Sequence, residues 1–202
     1  MKPKAVVFDL GKVLLHFDWR RAARQFATRS PLPPEAMLDA LNYTPMVIQY
    51  ELGQLSSRAF YEHARAALQF DGSFEEFAAM FADIFTEIPE LIGLHAELRR
   101  RGVPTFIFSN TNELAVQHIR ARYPFFADFT AHVLSYEHHA MKPDARLYEV
   151  VEQVSGCRGA ALLYIDDLAP NIAAGEARGW QVILQEEPAR TVALARATGV
   201  LD

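Results

Sequence analysis

Side chains that can handle a phosphoryl group follow three separate apolar runs of the sequence, at the point where each run ends. They are Asp9, the pair Ser109-Asn110 and the pair Asp166-Asp167. Short, continuous apolar runs are typical of parallel strands buried on both faces, and open α/β sheets build their sites at the carboxyl ends of such strands. We therefore expect a nucleophilic carboxylate, a hydroxyl-amide pair and an acidic pair to meet at one sheet edge. That combination suits phosphoryl chemistry assisted by a metal ion.

Asp9 is the candidate nucleophile. A carboxylate can attack phosphorus in line and form an aspartyl-phosphate that water later hydrolyses. Gly11, two residues further on, would allow the backbone to approach a ligand or a metal closely. An aspartate at the end of a strand also caps turns and helices, so Asp9 taken alone leaves that structural interpretation open.

Ser109 and Asn110 are candidates for phosphate binding, and Lys142 is a candidate counter-charge. Backbone N–H groups at the start of the helix predicted after Ser109-Asn110 can bind phosphate, although plain N-capping explains the same residues. Lys142 precedes Pro143 and a predicted helix. It can neutralise phosphate and the developing transition-state charge, or it can be an ordinary solvated charge.

The adjacent pair Asp166-Asp167 predicts a bound cation. Two carboxylates at the end of an apolar strand repel one another, so a positive group is expected nearby. Mg²⁺ is the natural choice, because it takes oxygen ligands, few of them from protein, and bridges to phosphate oxygens. Asn171 is placed to order this loop or a ligating carboxylate.

The elements that must position these side chains alternate between strands and helices from about residue 88 onward. We predict five strands: Ala5–Phe8, Thr105–Phe108, His132–Leu134, Leu162–Ile165 and Gln181–Leu184. All but the third are short apolar runs flanked by turn residues. Helical periodicity predicts four helices: Ile88–Arg101, Asn112–Arg122, Asp144–Val154 and Asn171–Arg178. Alternation of this kind predicts an α/β domain with a parallel sheet.

Residues 18–87 form a different kind of segment. Helical periodicity runs almost throughout it, and we find no strand candidate. Its breaks are residues 31–34, Tyr43-Thr44-Pro45 and residues 71–73. A helical block inserted after the first strand predicts a cap at residues 18–87 over the carboxyl edge of a core made of residues 1–17 and 88–202. Five aromatic residues are expected to form the interior of this cap: Trp19, Phe26, Phe60, Tyr61 and Phe70.

The composition argues against several classes of protein. A net charge of −5 provides no basic stripe for nucleic acid. The single cysteine, Cys157, excludes an internal disulfide framework. No apolar run approaches the roughly 20 residues that cross a bilayer, and Met1 leads directly into a strand rather than a secretory signal. We expect a cytoplasmic monomer or homodimer whose partner is a small molecule, with no nucleic acid and no membrane.

Taken together, these segments resemble the four sequence motifs of the haloacid dehalogenase-like hydrolase superfamily, in the same order. The matching segments are Phe8-Asp9-Leu10-Gly11-Lys12-Val13, Ser109-Asn110, Lys142-Pro143, and Ile165-Asp166-Asp167 with Asn171. Each motif alone is weak, but four in order at strand ends are specific. The resemblance covers nearly the whole chain and implies an α/β fold, with a Rossmann-like parallel sheet core and an inserted, all-helical C1 cap.

Finer features point to one branch of the superfamily. The segment Glu51–Ser56 and Phe60 resemble a recurring turn and helix start within C1 caps. The motifs are most similar to those of subfamily IA, and within it to the bacterial sugar-phosphate phosphatases typified by α-D-glucose-1-phosphate phosphatase. This resemblance implies a small phosphorylated metabolite, in particular a sugar phosphate, as substrate.

The resemblance also implies Mg²⁺ as the cofactor. Asp9 would be both the nucleophile and a metal ligand, and Asp167 matches the metal-ligating aspartate through its spacing to Asn171. The backbone carbonyl of Gly11 would be a further ligand. Asp166 and Asn171 would lie behind the ligands and orient them.

The implied substrate contacts come from three other positions. Ser109 and Asn110 match the phosphate-binding pair of the superfamily. Lys142 matches the lysine that bridges the nucleophile and the phosphate, so that Asp9 and Lys142 together would be the catalytic residues.

One position departs from the pattern of most phosphatases in the superfamily. They carry a second aspartate two residues after the nucleophile, which protonates the leaving group and then activates water, whereas this chain has Gly11. The glucose-1-phosphatase-like branch shares this glycine. The departure predicts slow turnover, or dependence on a good leaving group or on another acid. His16 and Asp18 are the candidates for that acid.

Three functions are compatible with these motifs. The first is a Mg²⁺-dependent phosphatase that acts through an aspartyl-phosphate. The second is a 2-haloacid dehalogenase that uses Asp9 on carbon without a metal; the pair Asp166-Asp167 counts against it, since displacement at carbon has no need of that pair. The third is a catalytically weak binding or regulatory protein that kept the fold and lost the acid; the presence of Asp9, Lys142 and Asp167 counts against it.

Overall fold

The computed structural model describes residues 1–41 and 44–202, and it contains a five-stranded parallel sheet. The strands of this sheet are β1 (Ala5–Phe8), β4 (Thr105–Ser109), β5 (Ala131–Leu134), β6 (Leu162–Asp166) and β7 (Gln181–Leu184). Their order is β5-β4-β1-β6-β7, with every neighbouring pair parallel. The five predicted strands and the predicted α/β class are therefore confirmed.

The central strand β1 is buried on both faces, which explains its continuous apolar run. Val6 and Phe8 pack into one hydrophobic cluster, and Ala5 and Val7 pack into another on the opposite face. This division follows from the period of two in a strand, which points successive side chains to opposite faces. The sheet is therefore a middle layer that needs helices on both sides.

Five helices accompany the parallel strands: one precedes β4, and the other four follow β4, β5, β6 and β7. They are α6 (Pro89–Arg100), α7 (Glu113–Arg122), α9 (Ala145–Ser155), α10 (Ala169–Ala177) and α11 (Pro188–Ala197). The first four match the predicted helices to within two residues at each end. Helix α11 and the single turn α8 (Ser135–His138), which follows β5, are additional to the predicted helices.

Five more helices lie between β1 and α6 in the chain. They are α1 (Trp19–Phe26), α2 (Pro34–Leu41), α3 (Pro45–Glu51), α4 (Ser57–Leu68) and α5 (Phe74–Ala82). Serine and threonine side chains cap several of them: Thr44 is the N-cap of α3, Ser56 is the N-cap of α4, and Ser73 forms a capping box with Glu76 at α5. The break predicted at Tyr43-Thr44-Pro45 lies partly outside the described residues, since Tyr43 is not among them.

The inserted helices share an aromatic interior. Phe60 stacks on Tyr50, with ring centroids 4.3 Å apart, and Phe77 stacks on Phe81 at 5.6 Å. Four of the five aromatic residues predicted for this interior are fully buried in it, and Trp19 packs against it partly exposed. Burial of several aromatic rings in one cluster gives the inserted segment a hydrophobic core of its own.

The prediction that residues 18–87 contain no strand is wrong at one place. Strand β3 (Phe85–Glu87) pairs antiparallel with β2 (Leu15–Phe17), which was not predicted either. Both strands have only three residues, and Thr86 and Glu87 are exposed, so neither has an apolar run that marks a strand. This two-stranded ribbon of β2 and β3 lies where the chain leaves the parallel sheet for the inserted helices and where it returns.

The turn after α3 packs directly against the sheet-bearing part of the chain. Gly53 has φ +64°, and a Cβ placed on it would lie 2.1 Å from the backbone oxygen of Tyr136 in α8. Ser135 Oγ donates to the Glu51 carbonyl at 2.7 Å, and His139 Nδ1 lies 2.9 Å from the Leu52 carbonyl. Only glycine fits both the backbone conformation and this close approach.

Gly53→Ala is therefore expected to destabilise the fold strongly. A left-handed residue with a Cβ costs about 1 kcal/mol, and the contact with Tyr136 adds to that cost, for a total of about 3 kcal/mol. Gly156→Ala is the matched control, because Gly156 also has φ +64° but a Cβ there meets no atom within 4 Å. Urea unfolding of both variants tests this, and equal losses would contradict the proposed contact.

Candidate active site

A buried lysine joins two aspartates at the carboxyl edge of the sheet. Lys142 Nζ lies 2.9 Å from Asp9 Oδ1 and 2.6 Å from Asp166 Oδ2, and it donates to the Phe108 carbonyl at 2.8 Å. The lysine side chain is 1% exposed and those of the aspartates are at most 10% exposed. Because Asp9 follows β1 and Asp166 ends the neighbouring β6, the parallel register itself brings the two carboxylates together.

Asp166 is saturated with hydrogen bonds. Besides Lys142, it accepts from the Tyr164 hydroxyl, from the Leu168 N–H at 2.8 Å, and from Asn171 Nδ2 at 3.0 Å. Its carboxylate is fully buried. Such a carboxylate is suited to fixing the lysine in place rather than to reacting.

Asp9 and Asp167 complete a cluster of three carboxylates. One oxygen from each of Asp9, Asp166 and Asp167 lies within 4.8 Å of the others. Asp167 is only partly buried and lies 3.4 Å from Lys12 Nζ. Two contacts end on Oδ1 of Asp9: a hydrogen bond from the Leu10 N–H at 2.7 Å, and the ion pair with Lys142 Nζ at 2.9 Å.

The charge balance of this cluster favours an additional cation. Burial raises the pKa of Asp9 to about 7, since the opposing effect of Lys142 does not compensate for it and Asp166 adds to the rise. Burial also raises the pKa of Asp167, against the opposing effect of Lys12. Three carboxylates that share one buried ammonium group are short of positive charge, and a divalent cation with oxygen ligands fits that donor set.

Lys142 and Asp166 form the stable ion pair within the cluster. Burial acts to lower the pKa of Lys142, but the two aspartates outweigh it and hold that pKa above its usual value. Burial acts to raise the pKa of Asp166, but Lys142 outweighs it and holds that pKa below its usual value. Both groups are therefore charged at neutral pH.

The hydroxyl-amide pair lies beside this cluster, with part of its hydrogen-bonding capacity already used. The Asn110 side chain accepts from the Lys142 N–H at 2.7 Å and donates to the Lys142 carbonyl at 3.1 Å. Ser109 Oγ donates to the Asn110 carbonyl at 3.3 Å. The Asn110 amide thus clamps the backbone of Lys142, a contact that the sequence analysis did not predict.

Two adjoining cavities lie between the sheet edge and the inserted helices. The larger, of about 330 Å³, has a charged wall made of Asp9, Asp167, Lys12 and Lys142, together with Asn171. The smaller, of about 100 Å³, has a mainly apolar wall: Phe17, Trp19, Leu41, Val47, Phe81 and Ile84. Ser109 lines the smaller cavity, and Asn110 lines both.

The structure does not bring the two candidate acids to the site. His16 and Asp18 are exposed, and neither is among the described residues that line the cavities. Asp18 instead caps α1 by accepting from the Arg20 N–H at 2.9 Å. The acidic residue from the inserted helices that does line both cavities is Glu51, which the sequence analysis placed only within a turn motif.

Comparison with known families defines the class of protein to which this site belongs. The family profile of haloacid dehalogenase-like hydrolases matches residues 3–179 of the chain. The chain therefore belongs to the haloacid dehalogenase-like hydrolase family. No helix in the described part of the chain is long and apolar enough to cross a membrane.

Individual relatives extend this comparison. "Phosphatase MT3486" of Mycobacterium tuberculosis (strain CDC 1551 / Oshkosh) is 25% identical over 200 residues, which cover 95% of this chain and 91% of that protein. A haloacid dehalogenase family enzyme of Bacteroides thetaiotaomicron, bt-2542, solved with magnesium and inorganic phosphate, superposes with a TM-score of 0.78. It is 21% identical, and the match covers 91% of this chain and 94% of the enzyme.

Two further solved structures share the fold. A predicted haloacid dehalogenase-like hydrolase of Porphyromonas gingivalis has a TM-score of 0.77 at 23% identity, covering 96% of this chain and 98% of its own. The L-2-haloacid dehalogenase of Xanthobacter autotrophicus has a TM-score of 0.65 at 21% identity, covering 93% of this chain and 80% of its own.

Proposed function

We propose that the protein is a Mg²⁺-dependent phosphatase that hydrolyses a small phosphorylated metabolite, in particular a sugar phosphate, through an aspartyl-phosphate. The observation that carries the proposal is the buried Lys142, held between Asp9 and Asp166, with Asp167 completing a carboxylate cluster. Further support comes from the relative named a phosphatase and from the magnesium and phosphate bound to the Bacteroides enzyme.

Asp9, Asp167 and the backbone carbonyl of Gly11 are the proposed metal-holding groups. The cluster supplies hard oxygen donors, and its excess of carboxylates is the charge that a divalent cation neutralises. When bound, Mg²⁺ supplies positive charge that stabilises phosphate oxygens and keeps the carboxylates ionised. Asp166 and Asn171 lie behind these metal-holding groups and orient them. Asn171 Nδ2 donates to Asp166 at 3.0 Å.

The proposed reaction begins at Asp9. Its Oδ2 oxygen attacks phosphorus in line, and Lys142 neutralises the charge that accumulates on the nucleophile and the phosphoryl oxygens. Ser109 and Asn110 bind phosphate with the N–H groups that precede α7, while the Asn110 side chain keeps Lys142 in register. Water then hydrolyses the aspartyl-phosphate and restores the Asp9 carboxylate.

The substrate's leaving group is proposed to occupy the smaller cavity. Its aromatic and aliphatic wall suits the apolar face of a small neutral group such as a sugar ring, and Asn112 and Thr111 add polar groups at one side. We also propose that residues 18–87 act as a cap on a core made of residues 1–17 and 88–202, because the inserted helices supply most of that wall.

A 2-haloacid dehalogenase is the second candidate function, favoured by the fold shared with the Xanthobacter enzyme. The cluster of Asp9, Asp166 and Asp167 argues against it, because displacement at carbon does not require a metal-binding carboxylate pair. A binding or regulatory protein is disfavoured by the intact Asp9–Lys142 pair. A screen of phosphorylated metabolites with and without Mg²⁺, with 2-haloacids in parallel, separates the three functions.

Asp167→Ala tests the metal site. Removal of one of the few protein ligands is expected to raise the Mg²⁺ concentration needed for half-maximal activity by at least about tenfold. Titration of activity with Mg²⁺ measures this, and Asp71→Ala, at an exposed aspartate in a loop, is the control. An unchanged Mg²⁺ requirement in Asp167→Ala would remove Asp167 from the ligand set.

A further inference from the structure

The two cavities meet at four residues, which mark where phosphate and leaving group join. Gly11, Phe17, Glu51 and Asn110 line both of them. With phosphate in the larger cavity and the leaving group in the smaller one, the bridging ester oxygen lies at this junction. Glu51 is the one residue of the four with a titratable side chain.

The backbone of Glu51 is held firmly against the rest of the site. Glu51 ends α3, and its carbonyl accepts from Ser135 Oγ at 2.7 Å. The preceding Tyr50 hydroxyl accepts from the Leu114 N–H at 3.0 Å, and the close packing of Gly53 on Tyr136 fixes the turn that follows. These contacts fix the backbone from which the Glu51 side chain extends, and an acid–base group must be carried on such a rigid support.

The surroundings of Glu51 favour its protonated form. Burial raises the pKa of Glu51 to about 7, and the described residues contribute no ion pair to its carboxyl group. The charged groups on the same cavity wall are Asp9, Lys12, Lys142 and Asp167. Two further titratable residues flank the segment from α7 and from the loop after α8: Glu113, which accepts from Ser57 Oγ, and His139, which contacts Leu52.

We propose that Glu51 is the general acid and base that replaces the aspartate missing at position 11. The inference rests on the proposed phosphatase function. As Asp9 attacks phosphorus, the bond from phosphorus to the ester oxygen breaks and the Glu51 carboxyl proton passes to that oxygen, releasing the alcohol. The Glu51 carboxylate then takes a proton from water as the water oxygen attacks phosphorus. The bond from phosphorus to Asp9 breaks, phosphate leaves, and Glu51 is protonated again.

The test is the leaving-group dependence of single-turnover rates in Glu51→Gln. Glutamine keeps the shape of glutamate but donates no proton, so simple alkyl phosphates should lose about 10²-fold or more. The loss for 4-nitrophenyl phosphate should stay below about tenfold, because its leaving oxygen needs no protonation. For the alkyl esters, the fall in the wild-type rate above about pH 7 should disappear in the variant, since only the protonated acid donates.

Further comparisons separate the proposed role of Glu51 from an acid at His16 or Asp18 and from failure of the phosphatase proposal. His16→Ala and Asp18→Asn should leave the leaving-group dependence unchanged, and a steep dependence in either would assign the acid there instead. An equal loss of rate for every ester in Glu51→Gln, or no loss, overturns the proposed role of Glu51. It leaves the phosphatase proposal standing, because the wild-type chain would still hydrolyse the esters with Mg²⁺. A wild-type chain that hydrolyses none of the esters overturns the phosphatase proposal and this inference with it.

Discussion

Asp9→Asn is expected to lower phosphatase turnover by at least about 10⁴-fold while the protein stays folded. The amide has nearly the shape of the carboxylate but is a very poor nucleophile, so the covalent path is lost and only the contribution of the remaining groups persists. Lys142 keeps its bonds to Asp166 and to the Phe108 carbonyl, and the buried Asp9 already has a raised pKa, so a neutral side chain there is tolerated.

Steady-state turnover of 4-nitrophenyl phosphate with saturating Mg²⁺ measures the loss of activity. Thermal unfolding of the same samples measures whether the protein stays folded. Asp71→Asn, an isosteric change at an exposed loop position, is the control and should match the wild type. Turnover of Asp9→Asn within tenfold of the wild type would contradict the assignment of the nucleophile.

Lys142→Met is expected to have the second largest effect, on stability as well as on activity. The methionine keeps the apolar stem but removes the only ammonium group that contacts both Asp9 and Asp166 among the described residues. Breaking a buried ion pair by removing one partner costs about 3–5 kcal/mol, because an uncompensated charge stays buried. Urea unfolding without metal measures this loss.

The pH dependence of the Lys142→Met effect separates a charge effect from a packing effect. In the wild type, Lys142 holds the pKa of Asp166 below 3.8; in the variant, burial without the lysine raises it. A carboxyl group whose pKa is raised in the folded protein destabilises the fold once the pH is high enough to ionise that group in the unfolded chain. The difference in stability between the two proteins should therefore be smallest at acid pH and grow as the pH rises past 3.8. A difference that does not change with pH would indicate lost packing instead.

Four strands of the sheet, all but β5, and the position of Asp9, Ser109 and Asp166 at its edge follow from local patterns. A continuous apolar run that ends in a polar residue is sufficient to predict both the strand and the place of that residue. The same rule fails for β2 and β3, because three-residue strands with exposed side chains leave no run to recognise.

The roles that depend on packing between distant segments were not predictable. Asn110 clamps the backbone of Lys142, 32 residues away, although its sequence context indicates only phosphate binding or capping. Glu51 stood out as part of a turn motif, but its place at the junction of the cavities depends on how α3 docks on α8. His16 and Asp18 lie where the chain enters the inserted segment, but His16 is an exposed residue of β2 and Asp18 is an exposed cap of α1.

The most direct test of the aspartyl-phosphate mechanism is to quench the protein in acid during a single turnover with a phosphate-labelled ester and to map the label. We expect a phosphoryl group on the peptide that contains Asp9, formed only with Mg²⁺ and absent from Asp9→Asn. Release of labelled phosphate with no label on Asp9 at any time, or with label on another residue, would contradict it.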